Sequence, residues 1–393
     1  MPVKTHKVRI YPNAKMRCVL ERGFGYNRYC YNRGLEVWQE LYEEFCLMHN
    51  KTAKPNERKV RNILVNEKPD WAYEQSSRIL QQAVHRLGRA WDNYFNPTMK
   101  RAKKPKFKAK HSDKQSFTTD RARVDGMYLI LDQPRGQHFD RVRMAEPLRF
   151  AGDIKTTTIT KRGQRYFASI TVATAEMARP LFTNSYDVDA IDMNIKHLNS
   201  TRQTLNTLPD TLEKLYARVS LYQRVLAHKR AVHPTNFRSA NYCKIRKKLN
   251  QTYLNITNLQ QDMLQKFSRS VLDDCQTLVL EDLDVNAMKM NKHLAKNIHR
   301  GLFRRCRDIF TYKSEWEGKG LVVADRYYPS TQRCSNCGHI KTIIEPGGKQ
   351  TLSGDSIHRQ HGRYYCNSCG TVLDRDANAV QNLIQYAVGL TTE

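Results

Sequence analysis

The chain has 393 residues, with 66 Lys and Arg against 38 Asp and Glu, a formal net charge of +28. That length allows more than one domain and a sizeable core. Like charge on this scale repels itself in the folded state and points to a polyanionic partner, most commonly nucleic acid. An anionic membrane is set aside, because there is no apolar run of about 18 residues and the basic start "MPVKTHKVRIYPNAK" lacks an apolar signal segment.

Residues 5–11, "THKVRIY", alternate as a short strand that stops at Pro12-Asn13. From about 14 to 97 the spacing turns helical, in "MRCVLERGFGYNRYCYNRGLEVWQELYEEFCLM" and, after a polar break, "SSRILQQAVHRLGRAWDNYF". Residues 96–117 are basic, broken by proline and without an apolar face, which predicts an exposed loop. Within it Lys103, Lys104, Lys106, Lys108 and Lys110 are candidates for phosphate contact, and Phe107 for stacking on a base or anchoring the loop. Charged loops are commonly no more than solvated, and the net charge favours phosphate contact here. Residues 118–175 hold short β-branched runs between turn residues, as in antiparallel strands, with the first strand completing a small barrel.

The second half alternates strands and helices. "SYDVDAIDMNIKHLNS" (185–200) reads as a strand, followed by a helical hairpin broken near its tip by Pro234. "TLVLEDLDV" is a buried strand ending in acids, "LFRRCRDIFTYKSEWEGKG" a helix, "LVVADRYY" a strand and "ANAVQNLIQYAV" a last amphipathic helix. An α/β core interrupted by a cysteine-bearing insertion follows.

Of ten cysteines, four form two C-x-x-C pairs, Cys334/Cys337 and Cys366/Cys369, each followed by glycine. Such knuckles bring four thiolates to one structural zinc ion. A catalytic zinc is disfavoured because four thiolates leave no open position. The glycines are expected to let the backbone turn and to donate N–H groups to sulfur. His339, His358 and His361 are expected to face solvent rather than to ligate. Cys18, Cys30, Cys46, Cys243, Cys275 and Cys306 read as buried small hydrophobes in a reducing cytosol.

Three acids stand at the end of an apolar strand or the start of a helix: Asp192, Glu281 and Asp376. Carboxylates converging in a core repel one another unless divalent cations sit between them. Two Mg²⁺ or Mn²⁺ ions about 4 Å apart could then drive phosphodiester cleavage. From spacing alone, helix caps and solvated strand ends are the better explanation of such acids. Asp187, Asp189, Asp282, Asp284 and Asp374 are acids of that ordinary kind, with Asp374 a cap of the last helix.

These motifs carry a resemblance. "HKVRIYPNAKM", "YCYNRGLE", "KKPKFKAK" with "QSF", "LVLEDLDVNAM", "LFRRCRDIFTYKSEWEGKGLVVADRYYPSTQRCSNCGH" and "YYCNSCGTVLDRDANAVQN" resemble the TnpB family of transposon-encoded, RNA-guided DNA endonucleases, relatives of compact type V CRISPR effectors. The resemblance implies a multidomain α+β fold. An RNase H-like (RuvC) α/β nuclease core with an inserted zinc ribbon is joined to an N-terminal β-barrel wedge and a helical recognition region. The corresponding spans are 1–13 and 114–178 for the wedge, 14–113 for the helical region with its basic loop, 179–325 and 372–393 for the nuclease, and 326–371 for the ribbon. It assigns Asp192, Glu281 and Asp376 to Mg²⁺ or Mn²⁺, and Cys334, Cys337, Cys366 and Cys369 to Zn²⁺. The implied partners are a guide RNA from the transposon end, one per monomer, and target double-stranded DNA, in a prokaryotic cytoplasm at the nucleoid. One departure stands out. The family usually has Asp-x-Gly-x-Lys on the first catalytic strand, and this chain has "DMNIK", with Asn194 in the glycine's place. Rival readings are an RNA-guided binder impaired in cleavage, a strand-transfer transposase, and a zinc-ribbon architectural protein.

Overall fold

The computed structural model describes residues 3–99, 102–110, 112, 114–132, 140–175, 187–290, 295–351 and 353–389, without the side chains of 296 and 299. The chain divides into two compact units, residues 1–176 and 177–393. The wedge-to-nuclease boundary expected at 178/179, and the start of the strand expected from 185, lie outside the described residues.

In the first unit β1 (Val3–Tyr11) is followed by three helices, α1 (Ala14–Leu47), α2 (Glu57–Asn66) and α3 (Ser77–Phe95). The side chain of Asn13, just past Pro12, accepts from Met16 N at 2.8 Å and so starts α1. Six strands come next: β2 (Lys114–Thr119), β3 (Arg123–Asp125), β4 (Tyr128–Ile130), β5 (Arg141–Met144), β6 (Asp153–Arg162) and β7 (Arg165–Ala173). They join β1 in an antiparallel sheet of order β2-β6-β7-β1-β5-β4-β3, with β1 in the middle. No pairing joins the edge strands β2 and β3 among the described residues, so the sheet is open by its hydrogen bonds. One apolar cluster joins the helices to the sheet, and Trp38 and Trp91 stack within it at 5.9 Å.

The second unit opens with β8 (Val188–Met193), β9 (His197–Asn199) and β10 (Thr204–Asn206). The hairpin α4 (Asp210–Val232) and α5 (Ala240–Asp273) follows, with Pro234 in its turn. Then come β11 (Thr277–Glu281), α6 (Val285–Met288), α7 (Ala295–Arg300), α8 (Phe303–Glu317), β12 (Gly320–Ala324), β13 (Arg363–Tyr365), β14 (Val372–Asp374) and α9 (Arg375–Gly389). The sheet order is β10-β9-β8-β11-β12, antiparallel from β10 to β8 and parallel from β8 to β12.

β8 is buried along its whole length, as a central strand covered on both faces must be. Its alternation decides what each face meets. Ile191, Leu278 and Leu280 pack against Phe267 of α5 and Phe310 of α8. Val188, Ala190 and Val279 pack against Val380, Leu383 and Ile384 of α9.

Between β12 and β14 the chain forms the two cysteine knuckles, with a long segment between them. That segment is organised around Lys341 and Asp355, whose side chains are wholly buried and paired at 2.6 Å. His358 also bonds Asp355, at 2.9 Å, and His339 pairs with Glu345 at 2.8 Å. These two histidines therefore have acidic partners rather than simply facing water.

The scattered cysteines are corrected in part. Cys30, Cys275 and Cys306 are buried, but Cys18, Cys46 and Cys243 are exposed. Helix periodicity identifies an apolar face, and these three lie off it. Among the described residues no helix is long and apolar enough to cross a membrane.

Candidate metal centres

The four cysteines meet. Cys334, Cys337, Cys366 and Cys369 have sulfurs within 4.8 Å of one another, with Sγ–Sγ distances of 3.8 Å for Cys334–Cys369 and 3.5 Å for Cys337–Cys366. Four thiolates on one tetrahedral zinc at about 2.3 Å would sit roughly 3.8 Å apart, so the set fits that ion. The two knuckles repeat one backbone pattern. Gly338 N donates to Cys334 O and Gly370 N to Cys366 O, and both glycines take positive φ, 77° and 70°. The glycine N–H groups thus go to carbonyls and not to sulfur. Backbone N–H groups of Asn336 and Cys337 reach the Cys334 sulfur, and those of Ser368 and Cys369 reach Cys366. The Thr371 hydroxyl, 3.1 Å from the sulfur, and its N–H hold the Cys369 thiol down at about 5, whereas burial pushes Cys366 up to about 12.

The three acids come from β8, β11 and α9. In the parallel ladder Leu280 lies beside Ile191, so Glu281 is next to Asp192. By alternation both share the phase of Val188, Ala190 and Val279, the side that faces α9. Asp376 stands in the first turn of that helix.

Asp192 is buried at 3 % exposure. Burial first, then the charges of Glu281 and Asp376, push its carboxyl well above the ordinary range. Burial also raises Glu281, against hydrogen bonds from Ser330 and the backbone N–H of Met193. Each acid has a polar partner. Asn194 Nδ2 donates to Asp192 Oδ2 at 2.7 Å, Ser330 Oγ to Glu281 Oε1 at 2.9 Å, and Asn199 Nδ2 to Asp376 Oδ2 at 3.0 Å. Asn199 is also the cross-strand neighbour of Asp192. The Arg375 guanidinium touches Asp376 at 3.3 Å and lowers Asp192 and Glu281 by its charge.

One guanidinium among three carboxylates leaves excess negative charge in a buried place. Hard oxygen donors with that excess suit Mg²⁺ or Mn²⁺. The carboxylates are spaced more widely than the cysteines, which alone among the described residues bring three or more ligand atoms within 4.8 Å.

Four of the five acids read as ordinary have ordinary partners. Asp189 accepts from Ala190 N and Thr201 N, Asp282 pairs with Arg307 and Arg326, and Asp284 caps α6. Asp374 Oδ1 accepts from Asp376 N at 3.1 Å and Ala377 N at 3.0 Å, capping α9.

Sequence reasoning missed the clamp between α9 and the first knuckle. Asn378 Oδ1 accepts from Ser335 N at 2.8 Å, and its Nδ2 donates to Arg333 O at 2.7 Å. Asn382 Nδ2 donates to Ser330 O at 2.8 Å and Arg333 O at 2.7 Å. Ser330 in turn holds Glu281. Both asparagines are almost wholly buried. Polar residues on an apolar helix face, at positions 378 and 382, were the available signal.

In the basic segment Lys103, Lys104, Lys106, Phe107, Lys108 and Lys110 are exposed. Lys108 is also held by protein. Its backbone is held by Asn32 through two hydrogen bonds, and its ammonium lies 3.5 Å from the centre of the Tyr31 ring. Loss of water there, with nearby Arg86, lowers its pKa to about 8.

Three family models match the chain: a helix-turn-helix domain over residues 1–45, a probable transposase over 183–292 and a Cas12f1-like TNB domain over 303–383. A putative RNA-guided DNA endonuclease of Streptomyces pristinaespiralis is 28% identical over 392 residues, covering 98% of this chain and 89% of the relative. The putative RNA-guided DNA endonuclease InsQ of Escherichia coli K12 is 24% identical, covering 97% and 92%. The chain is TnpB-like. A solved Cas12f1 chain, from a complex with single-guide RNA and target DNA, superposes on this chain with a TM-score of 0.54 at 10% identity and 98% coverage of both. At that identity the likeness concerns the fold. In this TnpB-like chain the span matched as helix-turn-helix is one strand and most of one 34-residue helix.

Proposed function

We propose that the protein is an RNA-guided DNA endonuclease that cuts target DNA at Asp192, Glu281 and Asp376. The observation that carries this is their presentation from two parallel strands and α9 on one side of the sheet, with Asp192 raised by burial and then by the other two charges. Three antiparallel strands continued by two parallel ones, with helices on both faces, suit an RNase H-like, RuvC-type core. Relatives covering nearly the whole chain are named for this activity.

The domains in this proposal are a wedge of 1–13 and 114–178, a helical region of 14–113, a nuclease of 179–325 and 372–393, and a zinc ribbon of 326–371. Exposed Lys103, Lys104, Lys106 and Lys110, with Phe107, contact the guide RNA, one per monomer and derived from the transposon end. Phosphate contacts position the RNA, and pairing of guide with target supplies sequence specificity. The site of action is the prokaryotic cytoplasm, at the nucleoid.

Bound Mg²⁺ would activate water and neutralise charge on the scissile phosphate. Asp192, Glu281 and Asp376 would hold it. Ser330 orients Glu281, Asn199 fixes Asp376 beside Asp192, and the charge of Arg375 favours the ionised forms of Asp192 and Glu281 against the larger effect of burial. Zinc on the four cysteines would fix the knuckles against α9.

The test is cleavage of matched DNA by protein carrying its co-purified RNA, with and without Mg²⁺. Asp192→Ala and Asp376→Ala should each stop cutting while leaving RNA binding intact. Cutting at the parent rate by either variant would refute the site.

A further inference from the structure

A cavity of about 640 Å³ lies between the α4–α5 hairpin and the start of α8, among residues the nuclease chemistry does not use. Tyr216 and Tyr253 line it from the two arms of the hairpin, and Arg300, Arg304 and Arg305 from the other side. Its shape is maintained by a buried amide. Gln260, 4 % exposed, donates to the Tyr216 hydroxyl at 3.1 Å and accepts from Arg305 Nη1 at 2.7 Å. The Arg300 guanidinium lies 4.4 Å from the centre of the Tyr216 ring, and Gln223 fixes the Tyr253 hydroxyl at 2.8 Å.

Among the described residues the cavity is lined by three arginines and Lys289 against a single acid, Asp308, so it favours an anion. Arg304 is exposed and has no ion-pair partner among the described residues. Aromatic rings beside arginines suit a base and its phosphates together. The volume falls in the ordinary range for a small-molecule site of roughly 300–1,000 Å³. Bases in a duplex are stacked and cannot enter, whereas structured RNA presents unpaired nucleotides in loops and bulges. Ser220 and Thr257 add hydroxyls to the lining that can meet a ribose 2′-hydroxyl.

We propose that this cavity receives one unpaired nucleotide of the guide RNA, its base against Tyr253 and its phosphates on Arg304 and Arg305. The proposal rests on the RNA-guided reading. The RNA that co-purifies with the full chain is extracted, labelled and re-bound, and a DNA strand of the same sequence serves as the second probe. The double variant Tyr253→Ala, Arg304→Ala should lose RNA affinity on the order of 10-fold or more, and Tyr253→Phe should retain it. Ultraviolet crosslinking of the complex should place an RNA adduct on the peptide carrying Tyr253 or Tyr216. Parent-like RNA affinity of the double variant, with no adduct there, overturns the cavity's role and leaves the guided-nuclease reading standing. Equal losses for the RNA and DNA probes also overturn it, since the site would not then be reading RNA. A parent chain that binds no RNA overturns both. Both exchanged side chains are substantially exposed, and matched melting curves confirm that the variant folds.

Discussion

Asn194 donates its side-chain N–H to Asp192 Oδ2 at 2.7 Å, at the position where the family resemblance implies glycine. The amide engages an oxygen that the proposed metal ion would need. A net hydrogen bond of about 1 kcal/mol, roughly fivefold in affinity, therefore opposes ion binding. Asn194→Gly should raise Mn²⁺ affinity about fivefold and shift cleavage to lower Mg²⁺. Calorimetric titration of both proteins measures it, and an unchanged or weaker affinity would show that the amide supports the site instead.

The raised carboxyl of Asp192 makes metal-free stability depend on pH. Its folded pKa lies above the unfolded value of about 3.9, so the native state binds the proton more tightly. Stability is therefore greatest below about 4 as far as this group is concerned, and falls as pH rises toward the folded value. In chelator at neutral pH, Asp192→Asn should be more stable than the parent by about 1–3 kcal/mol, read from thermal or denaturant unfolding. Added Mg²⁺ should stabilise the parent and leave the variant nearly unmoved.

The clamp from α9 to the first knuckle connects the two proposed metal centres. Removing zinc should free Arg333 and Ser335, which Asn378 and Asn382 hold, and with them the helix start that bears Asp376. Stripping zinc, or Cys366→Ser, should weaken Mn²⁺ binding at the carboxylates by about tenfold, the scale that follows when the groups supporting metal ligands are removed. Unaltered Mn²⁺ affinity in a zinc-free, folded protein would show the centres to be independent.

Among the exposed lysines of the basic loop, Lys108 has its ammonium closest to protein, on the Tyr31 ring. Replacing Lys103, Lys106 and Lys110 with alanine should reduce the salt slope of RNA binding by about 0.7–0.9 for each phosphate that is no longer neutralised. Lys108→Met should change that slope little, because its ammonium is on Tyr31. Filter binding across a salt series distinguishes them.

Much of this was legible in the sequence because acids interrupting apolar strands are costly without a reason. Asp192 and Glu281 stood out on that ground. Which face they take did not, since β8 is apolar toward both neighbours and only packing against α9 decides it. Asn199 lies in a three-residue strand and Ser330 in a turn, too short for any periodicity to report them. The ten-residue α2 was hidden in a polar break because it buries only Val60 and Leu64. Lys341 and Asp355 were invisible for the opposite reason: charged residues are assigned to solvent, and these two are buried by each other's charge.

The placement of Asp376 on α9 also sets an order in time. Synthesis runs from the N-terminus, so the strands bearing Asp192 and Glu281, and then all four cysteines, leave the ribosome before the helix that completes the carboxylate set. The first unit, with its basic loop, is made earlier still. Under the proposed function, a nascent chain would carry its RNA-contacting half while its cutting centre still lacked one acid, and a product interrupted before α9 would be unable to cut the DNA around it.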